Sequence, residues 1–94
     1  MRTIEYANVF KKDYKRIKAT PHHAKDAEKL LTTVIKMLVE NKELPPANPD
    51  HSLSGNWAGY RECHIKPDLL LIYKRHNLDT LRLARLGSHS ELFG

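Results

Sequence analysis

Gly59-Tyr60-Arg61-Glu62-Cys63-His64-Ile65-Lys66-Pro67-Asp68-Leu69-Leu70-Leu71-Ile72-Tyr73-Lys74-Arg75 holds two strand signals and the turn between them. In the first part Arg61, Cys63 and Ile65 point one way while Tyr60, Glu62 and His64 point the other, the period of a strand. Lys66-Pro67-Asp68 predicts a tight turn, because proline pre-sets the backbone angle that the second turn position needs. Leu69–Arg75 is a nearly continuous apolar run, as in a strand at the centre of a sheet. His76-Asn77-Leu78-Asp79 reads as a further turn and Thr80–Leu86 as a last strand. Three strands joined by two turns form a meander, so its first and third strands run in the same direction.

Arg2–Tyr6 predicts a short N-terminal strand. Asn8 is placed to cap a helix whose apolar positions Phe10, Tyr14 and Ile17 fall at i, i+4 and i+7. Thr20-Pro21 breaks that helix. A second helix is expected from about His23 to Glu43, with Ala27, Leu30, Leu31, Val34, Met37 and Leu38 on one stripe. Leu44-Pro45-Pro46-Ala47-Asn48-Pro49 then ends all helical pattern. Ser88–Phe93 has room for one helical turn. The expected architecture is a single α+β domain over residues 1–94. A two-helix hairpin would lie on a twisted, mostly antiparallel four-stranded sheet, in the order β-α-α-β-β-β.

A chain of 94 residues has material for one modest core. It contains no apolar stretch of membrane-spanning length and no apolar leader segment, so a cytoplasmic address and no membrane partner are expected. One cysteine, Cys63, cannot form an internal disulfide. The net charge of +5 favours a polyanionic or acidic partner. Most of the excess lies in the first half, where Lys11, Lys12, Lys15, Arg16 and Lys18 form the densest patch, diluted by Asp13. Taken by itself, such a run is a solvated helix face. Six histidines in so short a chain are harder to assign to solvent.

The meander brings the exit of its first strand (His64), the entry of its second (Asp68) and the exit of its third (Gly87-Ser88-His89) to one end of the sheet. Two histidines and a carboxylate thus converge from distant positions, with Arg85 nearby on a face that the register decides. Cleavage of RNA by internal attack of the 2′-hydroxyl needs a base, an acid for the 5′-oxygen leaving group and a cation for the charged phosphorane. Histidine, with a side-chain pKa of about 6.5, serves as either acid or base at neutral pH. A carboxylate such as Asp68 can orient an imidazole. That chemistry calls for no metal or other cofactor. A zinc site is not indicated, since the chain has no paired-ligand spacing and Cys63 points away from His64. Each residue also has a plainer role. His64 could be a hydrogen-bonded strand histidine, Asp68 a turn former, His89 a first-turn residue and Phe93 a core plug. Trp57 and Tyr60 read as packing residues, Tyr60 also as a possible RNA contact; His22, His23 and His76 read as surface positions.

The segment from Asp50-His51-Ser52-Leu53-Ser54-Gly55-Asn56-Trp57-Ala58-Gly59 through Asp68 to Tyr73 closely resembles the YafQ branch of the RelE/ParE toxin superfamily. So does the ending Arg85-Leu86-Gly87-Ser88-His89-Ser90-Glu91-Leu92-Phe93-Gly94. The resemblance implies a toxin of a type II toxin–antitoxin system, an mRNA endoribonuclease acting in the ribosomal A site, with a fold similar to microbial ribonucleases. Its catalytic residues would match His51, His64, Asp68 and His89. His89 would be the general acid and His64 the base, with His51 positioning phosphate or sharing the base's role. Phe93, Arg85 and Tyr60 would contact the substrate. Lys11, Lys12, Lys15, Arg16 and Lys18 would meet ribosomal RNA or the antitoxin. Implied partners are a cognate antitoxin of the DinJ or RelB kind, the ribosome and mRNA, with operator DNA reached only through the antitoxin. In one place the chain departs from the pattern: Leu69 stands where the family carries tryptophan. The alternative within the superfamily is a non-enzymatic toxin of the ParE kind that binds and poisons DNA gyrase, against which the set of histidines argues.

Overall fold

The middle of the molecule is a strand buried on both faces. In a computed structural model describing residues 2–21 and 26–94, the elements are β1 (Thr3–Tyr6), α1 (Asn8–Ala19), α2 (Ala27–Val39), β2 (Asp50–Ser52), a 3₁₀ turn (Gly55–Trp57), β3 (Arg61–Lys66), β4 (Leu69–Arg75), β5 (Thr80–Gly87) and α3 (His89–Phe93). The sheet order is β1-β5-β4-β3-β2. β1 runs parallel to β5, and the other neighbours are antiparallel. β4 is the central strand, and Leu69 through Tyr73 are all buried. Phe10, Ile17, Leu31, Val34 and Leu38 of α1 and α2 close over one face of the sheet, against Cys63, Leu71, Tyr73 and Leu83. Burying each such side chain contributes about 1.5–3 kcal/mol. A smaller core on the opposite face holds Leu70, Ile72, Ala84 and Leu92, flanked by Leu53, Trp57, Tyr60 and Phe93.

The sheet has five strands, not the expected four. The extra one, β2, is three polar residues long and shows no apolar alternation, so periodicity cannot reveal it. Its support is the pairing with β3 and the side chain of Asp50, which accepts hydrogen bonds from the Tyr73 hydroxyl (2.7 Å) and Arg61 Nε (3.0 Å).

The helix ends also differ from expectation. Asn8 is the first helical residue and caps nothing; Ala7 takes the cap position because its N–H still continues the strand, donating to the Leu83 carbonyl. α2 stops at Val39, short of Glu43. Asn41 there adopts a left-handed conformation (φ 60°), the Asn41 N–H donates to the Leu38 carbonyl and the Lys42 N–H to that of Met37. This pair of bonds is the Schellman stop, and asparagine tolerates the conformation better than most residues. The proposed start of that helix at His23 lies outside the described residues, as does His22.

Two bulges set which way the site residues face. Ile65 is extra in β3, between the pairs His64↔Leu70 and Lys66↔Leu69. Ala84 is extra in β5, between Tyr73↔Leu83 and Ile72↔Arg85. The second bulge reverses the phase of the strand, so that Leu83 and Leu86 both reach the helix-side core. Arg85 thereby comes to pair with Ile72 of the smaller core, and its guanidinium nonetheless reaches Asp13 of α1.

Candidate active site

Two adjacent strands, β2 and β3, and the end of β5, with β4 between, place the histidines. His51 in β2 lies opposite Glu62 in β3, and His64 is two residues further along β3. Side chains two apart share a face, so the His51 and His64 rings stand 6.3 Å apart, edge to face at 82°. His64 pairs with Leu70, and Leu70 pairs with Gly87. Two strand spacings, about 10 Å, therefore separate His64 from the residue that leads into His89. The loop before β2 locks the His64 backbone. Its N–H donates to the Pro49 carbonyl (3.0 Å), and its carbonyl accepts from Asn48 Nδ2 (2.8 Å).

His89 opens α3. Ser88 caps that turn reciprocally: its Oγ accepts from the Glu91 N–H (3.2 Å), and Glu91 Oε1 accepts from the Ser88 N–H (2.8 Å). The Ser88 N–H holds the Glu91 carboxyl below its usual pKa, against a lesser upward push from burial. Phe93 follows His89 by one turn, with ring centroids 5.1 Å apart, and its other side joins the smaller core.

Behind this corner lies Asp13, the sole fully buried charged side chain among the described residues, 2% exposed. It accepts from Arg85 Nε (2.8 Å) and Nη2 (3.2 Å), from Arg16 Nη1 (3.1 Å) and from the Leu86 N–H (3.0 Å). Burial pushes its carboxyl pKa up, but the bonds from Arg85, Leu86 and Arg16 outweigh that and hold it below the usual value. Arg85 is thus tied to α1 by two of its nitrogens. Arg16, expected in an outward-facing patch, is half-exposed, and its Nε also sits 3.4 Å from Glu91 Oε2.

The remaining sequence candidates are dispersed. Asp68 is exposed in the β3–β4 turn, and its carboxylate has no hydrogen-bond or ion-pair partner among the described residues, so it orients no imidazole in this structure. Leu69 is fully buried in the helix-side core. Tyr60 packs edge-on against Trp57 (5.2 Å), with Lys74 Nζ 5.4 Å above its ring. Lys11, Lys12, Lys15 and Lys18 are exposed along α1, Lys18 within 3.8 Å of Glu28. A groove of about 400 Å³ between α1 and α2, lined by Tyr6, Phe10, Tyr14 and Leu31 among others, belongs to the helix layer and not to the histidines.

Sequence reasoning missed Asp13, Asp50 and Glu91. For two of them a signal existed. Asp13 falls on the buried stripe of α1 with Phe10 and Ile17, and an acid there needs a cation. Ser88-His89-Ser90-Glu91 carries the capping-box spacing.

The family of YafQ toxins, bacterial toxins of type II toxin–antitoxin systems, matches the chain over residues 2–94. The mRNA interferase toxin YafQ of Escherichia coli is 39% identical over 93 residues, covering 99% of this chain and 97% of that protein. A copper-bound variant of a toxin from Helicobacter pylori has a TM-score of 0.88 and 41% identity, over 99% of this chain and all of the other. Among the described residues here, no group of three or more His, Cys, Asp and Glu side chains is gathered to hold a metal ion. The YafQ chain of the E. coli DinJ–YafQ complex has a TM-score of 0.85 and 37% identity, over the full length of both chains.

Proposed function

Since the chain belongs to the YafQ family of bacterial type II toxin–antitoxin toxins, we propose that it is an endoribonuclease that cuts mRNA in the ribosomal A site and so blocks translation. The observation that carries this reading is the gathering of imidazoles at one end of the sheet. His51 and His64 stand side by side, and His89 enters from two strands away.

In the proposed reaction the substrate phosphate lies between these two groups. His64 takes the proton of the 2′-hydroxyl, with His51 sharing that task or holding a phosphate oxygen. The 2′-oxygen attacks phosphorus, and the bond to the 5′-oxygen breaks. His89 supplies the proton that the departing oxygen needs. The products are a 2′,3′-cyclic phosphate and a free 5′-hydroxyl. Phe93 offers a stacking face for a base, a contact worth roughly 1–3 kcal/mol, and Tyr60 lies on the same side of the sheet. Arg85 adds positive charge beside the phosphate while Asp13 holds two of its nitrogens. Asp68, exposed and unpaired in the turn, is free to meet the incoming nucleotide. A cognate antitoxin resembling DinJ would neutralise the toxin, with the lysines of α1 as contacts for its acidic groups or for ribosomal phosphates.

Inducible expression of the wild type beside His89→Ala, with growth and primer extension on cellular mRNA as readouts, tests the reading. The wild type arrests growth and gives discrete mRNA ends. The variant loses on the order of 10²–10⁴-fold in cleavage, the usual contribution of one acid or base. Equal toxicity from both chains, or DNA breaks in place of mRNA ends, overturns the proposal. Cleavage of naked RNA as fast as ribosome-bound mRNA removes the ribosome from it.

A further inference from the structure

We infer that Asp13 is a positioning residue for His89, an inference that rests on the proposed reaction. β1 ends at Tyr6, opposite Leu83, so beyond that point the outer edge of β5 has no strand beside it. Side chains of α1 take over. The Leu86 N–H donates to Asp13 Oδ2 at 3.0 Å, and the Leu86 carbonyl accepts from Arg16 Nη2 at 3.4 Å. Two side chains of one helix thus occupy the places of the next strand's acceptor and donor.

From there the linkage reaches the acid. Asp13 Oδ1 holds Arg16 Nη1, Arg16 Nε faces Glu91 Oε2, and Glu91 Oε1 accepts from the Ser88 N–H. His89 follows Ser88 directly. α3 is only five residues long, too short to hold its shape unaided, because helix nucleation is costly. Gly87 lets the parts come this close: a Cβ there would stand 3.1 Å from Glu91 Oε1 and 3.3 Å from both Arg16 Nη2 and Leu92 Cδ2. A buried carboxylate is an expensive way to fasten a core. Here it fixes the direction in which the acid leaves the sheet.

A double-mutant cycle separates positioning from plain stability. Asp13→Asn, His89→Ala and the double variant are compared in cleavage of ribosome-bound mRNA, with Arg16→Gln alongside. Asp13→Asn is expected to lower kcat by roughly 10–100-fold, the scale of a small misplacement of a reacting group, with KM nearly unchanged. In the His89→Ala background the same change costs clearly less, keeping only the share that runs through Arg85. Order parameters of the Ser88–Phe93 amides should fall from about 0.85 toward 0.6 in Asp13→Asn. Equal losses in both backgrounds, or unchanged order parameters, overturn the inference. Should Asp13→Asn fail to fold, Arg16→Gln, which leaves the Asp13–Arg85 pair intact, carries the cycle under the same criteria. Full activity of His89→Ala instead refutes the proposed reaction, and the order parameters still judge the clamp.

Discussion

Tyr73 donates its hydroxyl to Asp50 from inside the helix-side core, and this one bond tells how an edge strand of three residues keeps its place. Burial pushes the tyrosine pKa up strongly and the Asp50 bond adds to it, so the phenol remains a donor at every physiological pH. Tyr73→Phe leaves Asp50 to Arg61 and water, and should cost about 1 kcal/mol, the net worth of a typical intramolecular hydrogen bond. Urea unfolding measures that loss, and amide exchange at Asp50–Ser52 should quicken. Unchanged exchange there would mean that β2 does not depend on Asp50. Cys63, also fully buried and with its thiol pKa raised by burial, serves as packing. At this scale the sequence was partly readable. His64 and His89 could be brought to one end of the sheet from the two turns alone. His51 entered through the resemblance, because the strand that carries it has no apolar signature. The part played by Asp13 is hidden within a basic patch, since helical spacing shows which face a residue takes but not which distant cation meets it.

Between elements, α1 does two jobs on one face: Phe10 and Ile17 fill the core, and Asp13 fastens the end of β5. That second job is pH-dependent. The Asp13 carboxyl has a lower pKa folded than unfolded, so the folded chain binds its proton less readily. Its contribution to stability is full above the ordinary carboxylate pKa of about 4 and is lost as pH falls through the lower folded value. Asp13→Asn should therefore be less stable than wild type at neutral pH, by about 2 kcal/mol. The gap should narrow on acidification below pH of about 4. Chemical denaturation of both chains from neutral to acid pH measures it, and a gap that stays constant would show that the carboxylate's charge is irrelevant. Helix boundaries were the least legible elements. Proline-rich sequence put the end of α2 at Glu43, but the helix stops at Val39, where the left-handed Asn41 turns the chain and periodicity gives no signal.

For the molecule as a whole, a net charge of +5 is unevenly available. Arg16 and Arg85 are engaged with Asp13, whereas Lys11, Lys12 and Lys15 form an exposed run of positive charge along α1. Replacing Lys11, Lys12 and Lys15 with Gln should weaken binding to ribosomes and flatten its salt dependence, by about one unit of log–log slope per lost phosphate contact. Titration of labelled ribosomes across a salt series checks this, and an unaltered slope would exclude the patch from docking. Arg16 is left out of that set because its loss would also disturb α3. The overall α+β arrangement was legible because it follows from apolar periodicity. The fifth strand and the corner behind His89 were not, since both are held by polar side chains far apart in the chain.

The parallel pairing of β1 with β5 joins Thr3 to Thr80 and Tyr6 to Leu83. During synthesis the first strand therefore emerges long before its partner exists, and such distant contacts form late in folding. A message cut short before the codon for Thr80 leaves the opening residues nothing to pair with, and lacks His89 as well. Premature termination then delivers a chain that cannot close its sheet and carries only two of the three histidines on which the proposed reaction depends.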